Sequence, residues 1–271
     1  MKYIILSAAA VAAVFIVCFG AGGFIRKKSK KKLPLPVHIL ICLLCGAVVL
    51  SGTAAVFLEI HYSASGDALE VLQESSDVRF TEINGAYFAD GPGEKNAMIF
   101  YPGAKVDPEA YLPLIKKIAA DGTDCFIIRP PFRFALFAPD APESIMKGYK
   151  YDKWLLSGHS MGGIVASSYA AGHSGDVDGV VLLASYPTEK LDESINVLSV
   201  YGSEDKVFDT TAYEQAKAFL PENYKELVID GGNHSGFGNY GAQSGDGEAR
   251  ISAEEQQLQT ACEIKEFVEG L

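Results

Sequence analysis

Short apolar runs alternate with segments of helical periodicity over most of the chain, and this alternation predicts an α/β fold. The predicted strands lie at 78–82, 86–89, 97–101, 124–129, 153–157, 179–185, 196–201 and 224–229. The predicted helices lie at 108–120, where Pro113 is a local irregularity, and at 164–171, 210–219 and 253–269. The first two strands are close enough to form a hairpin, whereas most later strands are separated by helices. Strands joined in this way run parallel, so we expect a mostly parallel sheet built from βαβ units.

The first 60 residues follow a different pattern. Residues 3–25 and 36–58 contain no Asp, Glu, Lys or Arg, and each stretch is long enough to span a bilayer. Residues 26–32 between them contain six Lys or Arg side chains. Because cytoplasmic loops carry such positive charge, we predict a two-helix transmembrane hairpin with its loop in the cytoplasm and the rest of the chain outside. A cleaved signal peptide is the alternative for the first stretch, and the basic cluster directly after it disfavours export.

These patterns divide the chain into a membrane anchor at 1–60, a polar linker at 61–77 and one α/β domain at 78–271. The formal net charge of −11 conceals an asymmetry. The anchor holds seven of the 23 basic and one of the 34 acidic residues, which leaves 16 basic and 33 acidic residues, or −17, for the remainder. A strongly acidic outer domain disfavours nucleic acid as a partner.

Cysteine and metal-ligand patterns add little. Three of the five cysteines lie in the apolar stretches, and Cys125 and Cys262 occupy positions that look buried, which favours free thiols. No His, Cys, Asp or Glu spacing matches a metal site, including His234 with Asp230 or Asp246. We therefore expect a reaction without metal or cofactor.

One motif carries most of the chemistry. Gly158-His159-Ser160-Met161-Gly162 fits the pattern G-x-S-x-G. It lies directly between a predicted strand and a predicted helix, where a tight turn exposes the serine hydroxyl and the N–H of the next residue points to the same place. This context predicts Ser160 as the nucleophile and Met161 as one oxyanion donor. The alternative is a glycine-rich turn with an inert serine.

A general base for this serine should follow it on a loop. Four of the five histidines are poor candidates: His38 and His61 precede the domain, His159 is expected to point away from the serine, and His173 ends the helix after the motif. His234 lies in a glycine-rich loop between the last predicted strand and the last predicted helix. We predict it as the base, with a solvent-facing loop histidine as the alternative.

The acid should lie between the serine and this histidine, after a strand. Asp205 follows the strand at 196–201, and from there it can orient His234 through its second ring N–H. Glu204 is the nearest rival and Asp209 a more distant one. A charged surface turn is the alternative reading of this loop.

A second oxyanion donor is expected in the loop after the strand at 97–101. Pro102 has no N–H, whereas Gly103 or Ala104 can present one, and the sequence leaves the choice between these two open. An ordinary strand-to-helix connection is the alternative.

Four segments in this order resemble the α/β-hydrolase superfamily, and most of all its small, lidless bacterial branch of carboxylesterase-like and dienelactone-hydrolase-like proteins. They are 100–106, 158–163, 201–205 and 232–234, within a resemblance that covers about 78–271. The resemblance implies helices on both faces of the sheet and hydrolysis through an acyl-enzyme. Dienelactone hydrolases proper have a cysteine nucleophile where Ser160 stands here, so their substrate is not implied.

The sequence thus predicts a membrane-anchored serine hydrolase acting on carboxylic esters or thioesters. Only about ten residues, 186–195, separate two strands where many relatives insert a lid, so we expect an open site. Phe132, Phe134, Leu136 and Phe137 lie in a predicted loop at 130–149, either lining an acyl pocket or packing on the sheet edge. The alternatives are acyl transfer or lipase action on envelope lipid or polymer, and a non-catalytic binding scaffold on the same fold. The oligomeric state is not predicted.

Overall fold

The computed structural model describes residues 16, 20, 34–73 and 77–271, and the chain divides into two compact units, Met1–Ile60 and His61–Leu271. In the first unit, α1 (Leu35–Glu59) is a helix of 25 residues with a mean hydropathy of 2.5 in its most apolar window. By length and composition this helix can cross a membrane. Signal sequences near an N-terminus share these two properties. The predicted first span at 3–25, apart from residues 16 and 20, and the basic loop at 26–32 lie outside the described residues.

The second unit is built on an eight-stranded sheet with the order β1-β2-β4-β3-β5-β6-β7-β8. The strands are β1 (Arg79–Ile83), β2 (Ala86–Asp90), β3 (Asn96–Tyr101), β4 (Thr123–Ile128), β5 (Lys153–His159), β6 (Gly179–Leu183), β7 (Asn196–Gly202) and β8 (Lys225–Ile229). The β1–β2 and β2–β4 pairs are antiparallel, and all other pairs are parallel. The predicted β-hairpin of the first two strands and the predicted mostly parallel sheet are thus both confirmed.

Helices cover both faces of the sheet. They are α2 (Gly66–Glu70), α3 (Leu112–Ala120), α4 (Ala141–Gly148), α5 (Met161–Gly172), α6 (Thr210–Ala216) and α7 (Ala253–Glu269). Because successive strand residues face opposite sides, Phe100 belongs to the apolar cluster that includes Leu114 of α3 and Ile264 of α7. Its neighbour Ile99 belongs to the opposite cluster with Val165 of α5.

Most predicted strands differ from the observed ones by one or two residues at an end, and larger differences concern helical segments. The helix predicted from 108 is a 3₁₀ turn, Pro108–Tyr111, followed by α3. Pro113 is tolerated in the first turn of α3, because a backbone N–H at that position would have no acceptor within the helix. The segment predicted as a loop at 130–149 contains α4, also with a proline in its first turn. The helix predicted from 164 already begins at Met161. The sequence did not indicate this start, since Gly162 and Gly163 disfavour a helix by propensity but are required there by close contacts with neighbouring residues.

The predicted linker at 61–77 is incorrect as far as its described residues show. Ala68 and Val71 are buried, and the backbone N–H of Ser65 donates to the carbonyl of Asn239 over 2.8 Å. Tyr62 N–H likewise donates to the Lys105 carbonyl over 2.7 Å. Residues 61–73 therefore belong to the second unit, a placement decided by partners far away in the sequence.

The two cysteines of this unit are free. Cys125 is buried as predicted, and burial raises the pKa of its thiol well above the usual value. Cys262 is exposed, which corrects the prediction that it is buried, because it lies on the solvent side of α7.

Candidate active site

Ser160 is the single residue between the end of β5 and the start of α5. Its backbone has φ 53° and ψ −122°, a conformation that costs a residue with a side chain of the order of 1–3 kcal/mol. The turn is tight: a Cβ on Gly158 would lie 2.3 Å from the carbonyl carbon of Gly162, and a Cβ on Gly162 would lie 2.2 Å from the carbonyl oxygen of Tyr101. Only glycine fits at these two positions, and the serine is held on a strained, closely packed turn.

The neighbouring strand supports this turn. Ser160 N–H donates to the Leu183 carbonyl over 2.9 Å, and the Ser160 carbonyl accepts from Ser185 Oγ over 2.7 Å. Ala184, between these two residues, also has a positive φ of 45°. Sequence analysis did not single out Ser185, since a serine at the end of a strand carries no local signal for this role.

Asp205 and His234 form a buried hydrogen-bonded pair. β7 and β8 are adjacent and parallel, so the loops after them meet at one edge of the sheet. His234 Nδ1 lies 2.8 Å from Asp205 Oδ2, and the side chains are 2% and 0% exposed. The other carboxylate oxygen, Oδ1, accepts from the N–H groups of Val207 and Phe208, both over 2.8 Å. Because a carboxylate oxygen can only accept a hydrogen bond, His234 Nδ1 carries the proton that it donates to Asp205, and His234 Nε2 has the free lone pair.

His234 lies beside the serine turn without a hydrogen bond to Ser160. Its Nε2 is buried and has no partner within the described part of the chain. The ring of His159, the residue directly before Ser160, has its centroid 4.5 Å from that of His234. The His159 ring therefore packs against the predicted base, a contact that the sequence did not predict.

Neither rival acid contacts this histidine in the structure. Glu204 accepts from Arg250 Nε over 3.0 Å, and Asp209 caps α6 by accepting from Ala212 N–H over 2.9 Å. Of the other histidines in this unit, His173 stacks on Tyr169, and His61 contacts Asp107. Of the predicted acids and histidines, Asp205 and His234 are thus the pair that the described residues place within hydrogen-bonding distance of each other.

Two residues that sequence analysis missed hold the His234 loop. The carboxylate of Asp246 accepts from the N–H groups of His234 and Ser235 over 3.2 and 2.9 Å. Gln256 of α7 accepts from Asn233 N–H over 3.0 Å and donates to the Asn233 carbonyl over 2.8 Å. Asp246 was weighed only as a metal ligand, and no metal-binding group of side chains occurs among the described residues. Its flanking glycines in Gly245-Asp246-Gly247 were the available signal for a structured loop.

The two predicted sources of the second oxyanion donor differ in their contacts. Gly103 N–H donates to the hydroxyl of Tyr111 over 3.1 Å, in a buried position. Met161 is the first residue of α5, where a backbone N–H has no acceptor within the helix. Since Gly103 already has an acceptor, the contacts favour Ala104 as the partner of Met161.

The loop after β4 carries exposed apolar side chains close to this region. Phe132, Leu136 and Phe137 are 49%, 58% and 57% exposed, so about half of each side chain is open to solvent. The carbonyl of Arg133 accepts from Lys105 N–H over 2.8 Å, which joins this loop to the one that contains Ala104. No helix or strand is inserted between β6 and β7, in agreement with the predicted absence of a lid there.

Comparison with known proteins agrees with this fold. Residues 97–258 match the alpha/beta hydrolase family. No curated protein matches the chain. Solved structures that resemble it include a predicted CIB-like hydrolase from Thermoplasma acidophilum, with 14% identity and a TM-score of 0.53 over 72% of this chain and 98% of that one. A dienelactone hydrolase from Anabaena variabilis has 14% identity and a TM-score of 0.53 over 72% and 99% of the two chains. Mouse alpha/beta hydrolase domain-containing protein 10 has 11% identity and a TM-score of 0.51 over 72% and 99%.

Because the family match spans more than half of the chain, the protein belongs to the α/β-hydrolase family. The structural likenesses, at these low identities, show the shared fold. Hydrolase activity is the activity that this membership supports.

Proposed function

We propose that this protein is a membrane-anchored serine hydrolase that cleaves carboxylic esters or thioesters through an acyl-serine intermediate. The observation that carries the proposal is the buried pair of Asp205 and His234 beside the strained turn at Ser160. A buried carboxylate that orients an imidazole, next to a serine on a strained turn, is the arrangement that activates a hydroxyl nucleophile.

Each group has a defined role in this reaction. Ser160 Oγ attacks the carbonyl carbon while His234 Nε2 takes its proton, and the negative charge on the carbonyl oxygen is stabilised by the N–H groups of Met161 and Ala104. Collapse of the tetrahedral species breaks the bond to the leaving alcohol or thiol, which receives the proton from Nε2. Water then attacks the acyl-serine in the same way, and the carboxylic acid and free Ser160 are released.

The surroundings of the site support substrates of modest size with an apolar portion. No helix or strand is inserted in the chain between β6 and β7 to cover the site. Phe132, Leu136 and Phe137 offer apolar surface beside the loop of Ala104. We infer that an acyl chain lies along these side chains.

One observation favours the alternative of a non-catalytic scaffold, namely the missing hydrogen bond between Ser160 and His234. In α/β hydrolases without substrate such bonds are often long and shorten only in the complex, so this observation does not outweigh the buried pair. Transfer of the acyl group to an acceptor other than water uses the same intermediate and differs only in the second step.

The proposal predicts that a fluorophosphonate probe labels Ser160. The full chain in detergent should show a single adduct on Ser160 by intact mass and peptide mapping, because only an activated serine reacts at an appreciable rate. Ser160→Ala should lose the adduct and the turnover of p-nitrophenyl esters while keeping the wild-type melting temperature. Ser157→Ala, which removes a buried hydroxyl three residues away on β5, is the matched control and should label normally. A folded wild type without an adduct would favour the scaffold.

Membrane anchorage is supported by the apolar composition of α1 and by the basic residues at 26–32. We propose two membrane passes with the catalytic unit outside the cytoplasm. Alkaline phosphatase fused after Leu271 should therefore be active in bacterial cells, because this reporter folds only outside the cytoplasm. A β-galactosidase fusion at the same point should be inactive, and the reverse pair of results would place the unit in the cytoplasm.

A further inference from the structure

A buried chain of hydrogen bonds joins the oxyanion loop to the serine turn. Gly103 N–H donates to the hydroxyl oxygen of Tyr111 over 3.1 Å, and that hydroxyl lies 2.8 Å from Nδ1 of His159. Tyr111 is 0% exposed and His159 is 1% exposed. The chain thus connects the loop after β3 with the residue that precedes Ser160.

The direction of these bonds follows from the donors available. The Tyr111 oxygen accepts the Gly103 proton, so its own single proton is free to point to His159 Nδ1. Burial raises the pKa of the Tyr111 phenol, and burial together with the neighbouring His234 holds the pKa of His159 well below its usual value. Both side chains are therefore neutral, and the proton of His159 is on Nε2.

His159 is also the surface against which the base packs. Its ring centroid lies 4.5 Å from that of His234, with an angle of 50° between the ring planes, and 5.5 Å from that of Phe237. The ring also interacts with the backbone of His234, although its buried Nε2 makes no hydrogen bond of good geometry within residues 34–73 and 77–271. A histidine at position 159 buries the polar Nε2–H, which costs free energy, whereas an apolar side chain of similar size would not. Packing alone therefore does not explain why this residue is a histidine.

We propose that Tyr111 and His159 are positioning residues that hold the oxyanion loop and the base in register with Ser160. The Tyr111 hydroxyl accepts the hydrogen bond from Gly103 N–H and so holds the turn in which Ala104 N–H remains available to bind the oxyanion. His159 anchors Tyr111 through Nδ1 and sets the position of the His234 ring by contact. This inference rests on the proposed function, since it concerns the geometry of the same reaction.

The test compares full-length variants by the rate of fluorophosphonate labelling at Ser160 and by kcat and KM for a short p-nitrophenyl ester. Tyr111→Phe keeps the ring and removes the hydroxyl, and it should lower the labelling rate and kcat by about 10- to 100-fold, the size of effect expected from a displaced catalytic group. KM should stay within about two-fold, because ground-state binding is not altered. Tyr240→Phe is the matched control, since Tyr240 is also buried, its ring centroid lies 6.3 Å from that of Tyr111, and its hydroxyl donates to Gln243. It should label at the wild-type rate.

A second pair of variants separates positioning from packing. The Oδ1 of Asn occupies nearly the place of a histidine Nδ1, so His159→Asn retains an acceptor for Tyr111, whereas His159→Leu has none. His159→Asn should label several-fold faster than His159→Leu. Equal rates in this pair, or a wild-type rate in Tyr111→Phe, would overturn the inference, and the His159 pair decides it if Tyr111→Phe does not fold. An unlabelled wild type would refute the proposed function itself, which separates the two failures.

Discussion

Asp205→Asn is expected to lower kcat for ester hydrolysis by about 10³- to 10⁴-fold with little change in stability. The reason lies in the two oxygens of this carboxylate. Oδ1 accepts two backbone N–H groups, from Val207 and Phe208, so the amide oxygen of an asparagine would take that place. Its NH₂ group would then face His234 Nδ1, which would have to accept a hydrogen bond rather than donate one. The ring proton would move to Nε2, and His234 could no longer take the proton of Ser160.

Glu204→Gln is the matched control for this prediction. It makes the same acid-to-amide change one residue away, on a side chain that bonds to Arg250 at the surface, and it should keep wild-type kcat. The measurement is kcat for a p-nitrophenyl ester in the full chain, with melting temperatures to verify folding. An Asp205→Asn variant that keeps more than a tenth of the wild-type kcat would show that another residue orients His234.

Gly162→Ala is expected to destabilise the catalytic unit severely. The added Cβ would lie 2.2 Å from the carbonyl oxygen of Tyr101 and 2.6 Å from that of Pro102, both of them backbone atoms that cannot move without shifting β3 or α5. Forcing such contacts apart costs about 3 kcal/mol or more. For a unit of this size the melting temperature should fall by roughly 6–12 °C.

Gly172→Ala provides the comparison within the same helix. Gly172 ends α5, and a Cβ there would meet no atom within 4 Å. This change should leave the melting temperature unchanged or raise it slightly, because alanine has the higher helix propensity. Differential scanning fluorimetry of both variants measures the difference, and equal melting temperatures would mean that the turn relaxes easily around a side chain at 162.

These two predictions concern the same design. The serine turn stores strain at Ser160, and it is held in place by glycines that let β3, β5 and α5 approach closely and by Ser185, two residues after β6. Around it, the His234 loop is held by Asp246 and Gln256 rather than by its own sequence. Reactive groups on loops are thus kept in place by neighbours that do not themselves react.

Much of this arrangement was predictable from local sequence. The strand positions follow from apolar runs, the serine turn from glycines between a strand and a helix, and Asp205 and His234 from loops after later strands. Each of these signals depends on residues within a few positions of one another, for which backbone geometry is decisive. The helix start at 161 was not predicted, because close contacts with other elements require glycines at 162 and 163, and these contacts are not visible in the local sequence.

The sequence by itself determined the family, the mostly parallel sheet and the order of serine, acid and histidine along the chain. Only the tertiary structure decided which side chains meet. The bond between Tyr111 and His159 joins residues 48 positions apart, and that between Ser65 and Asn239 joins residues 174 positions apart. These contacts turned a predicted linker into part of the domain, brought His159 against the base and committed Gly103 N–H to Tyr111. Their physical cause is the packing of distant segments at one edge of the sheet, for which a single sequence carries no local pattern.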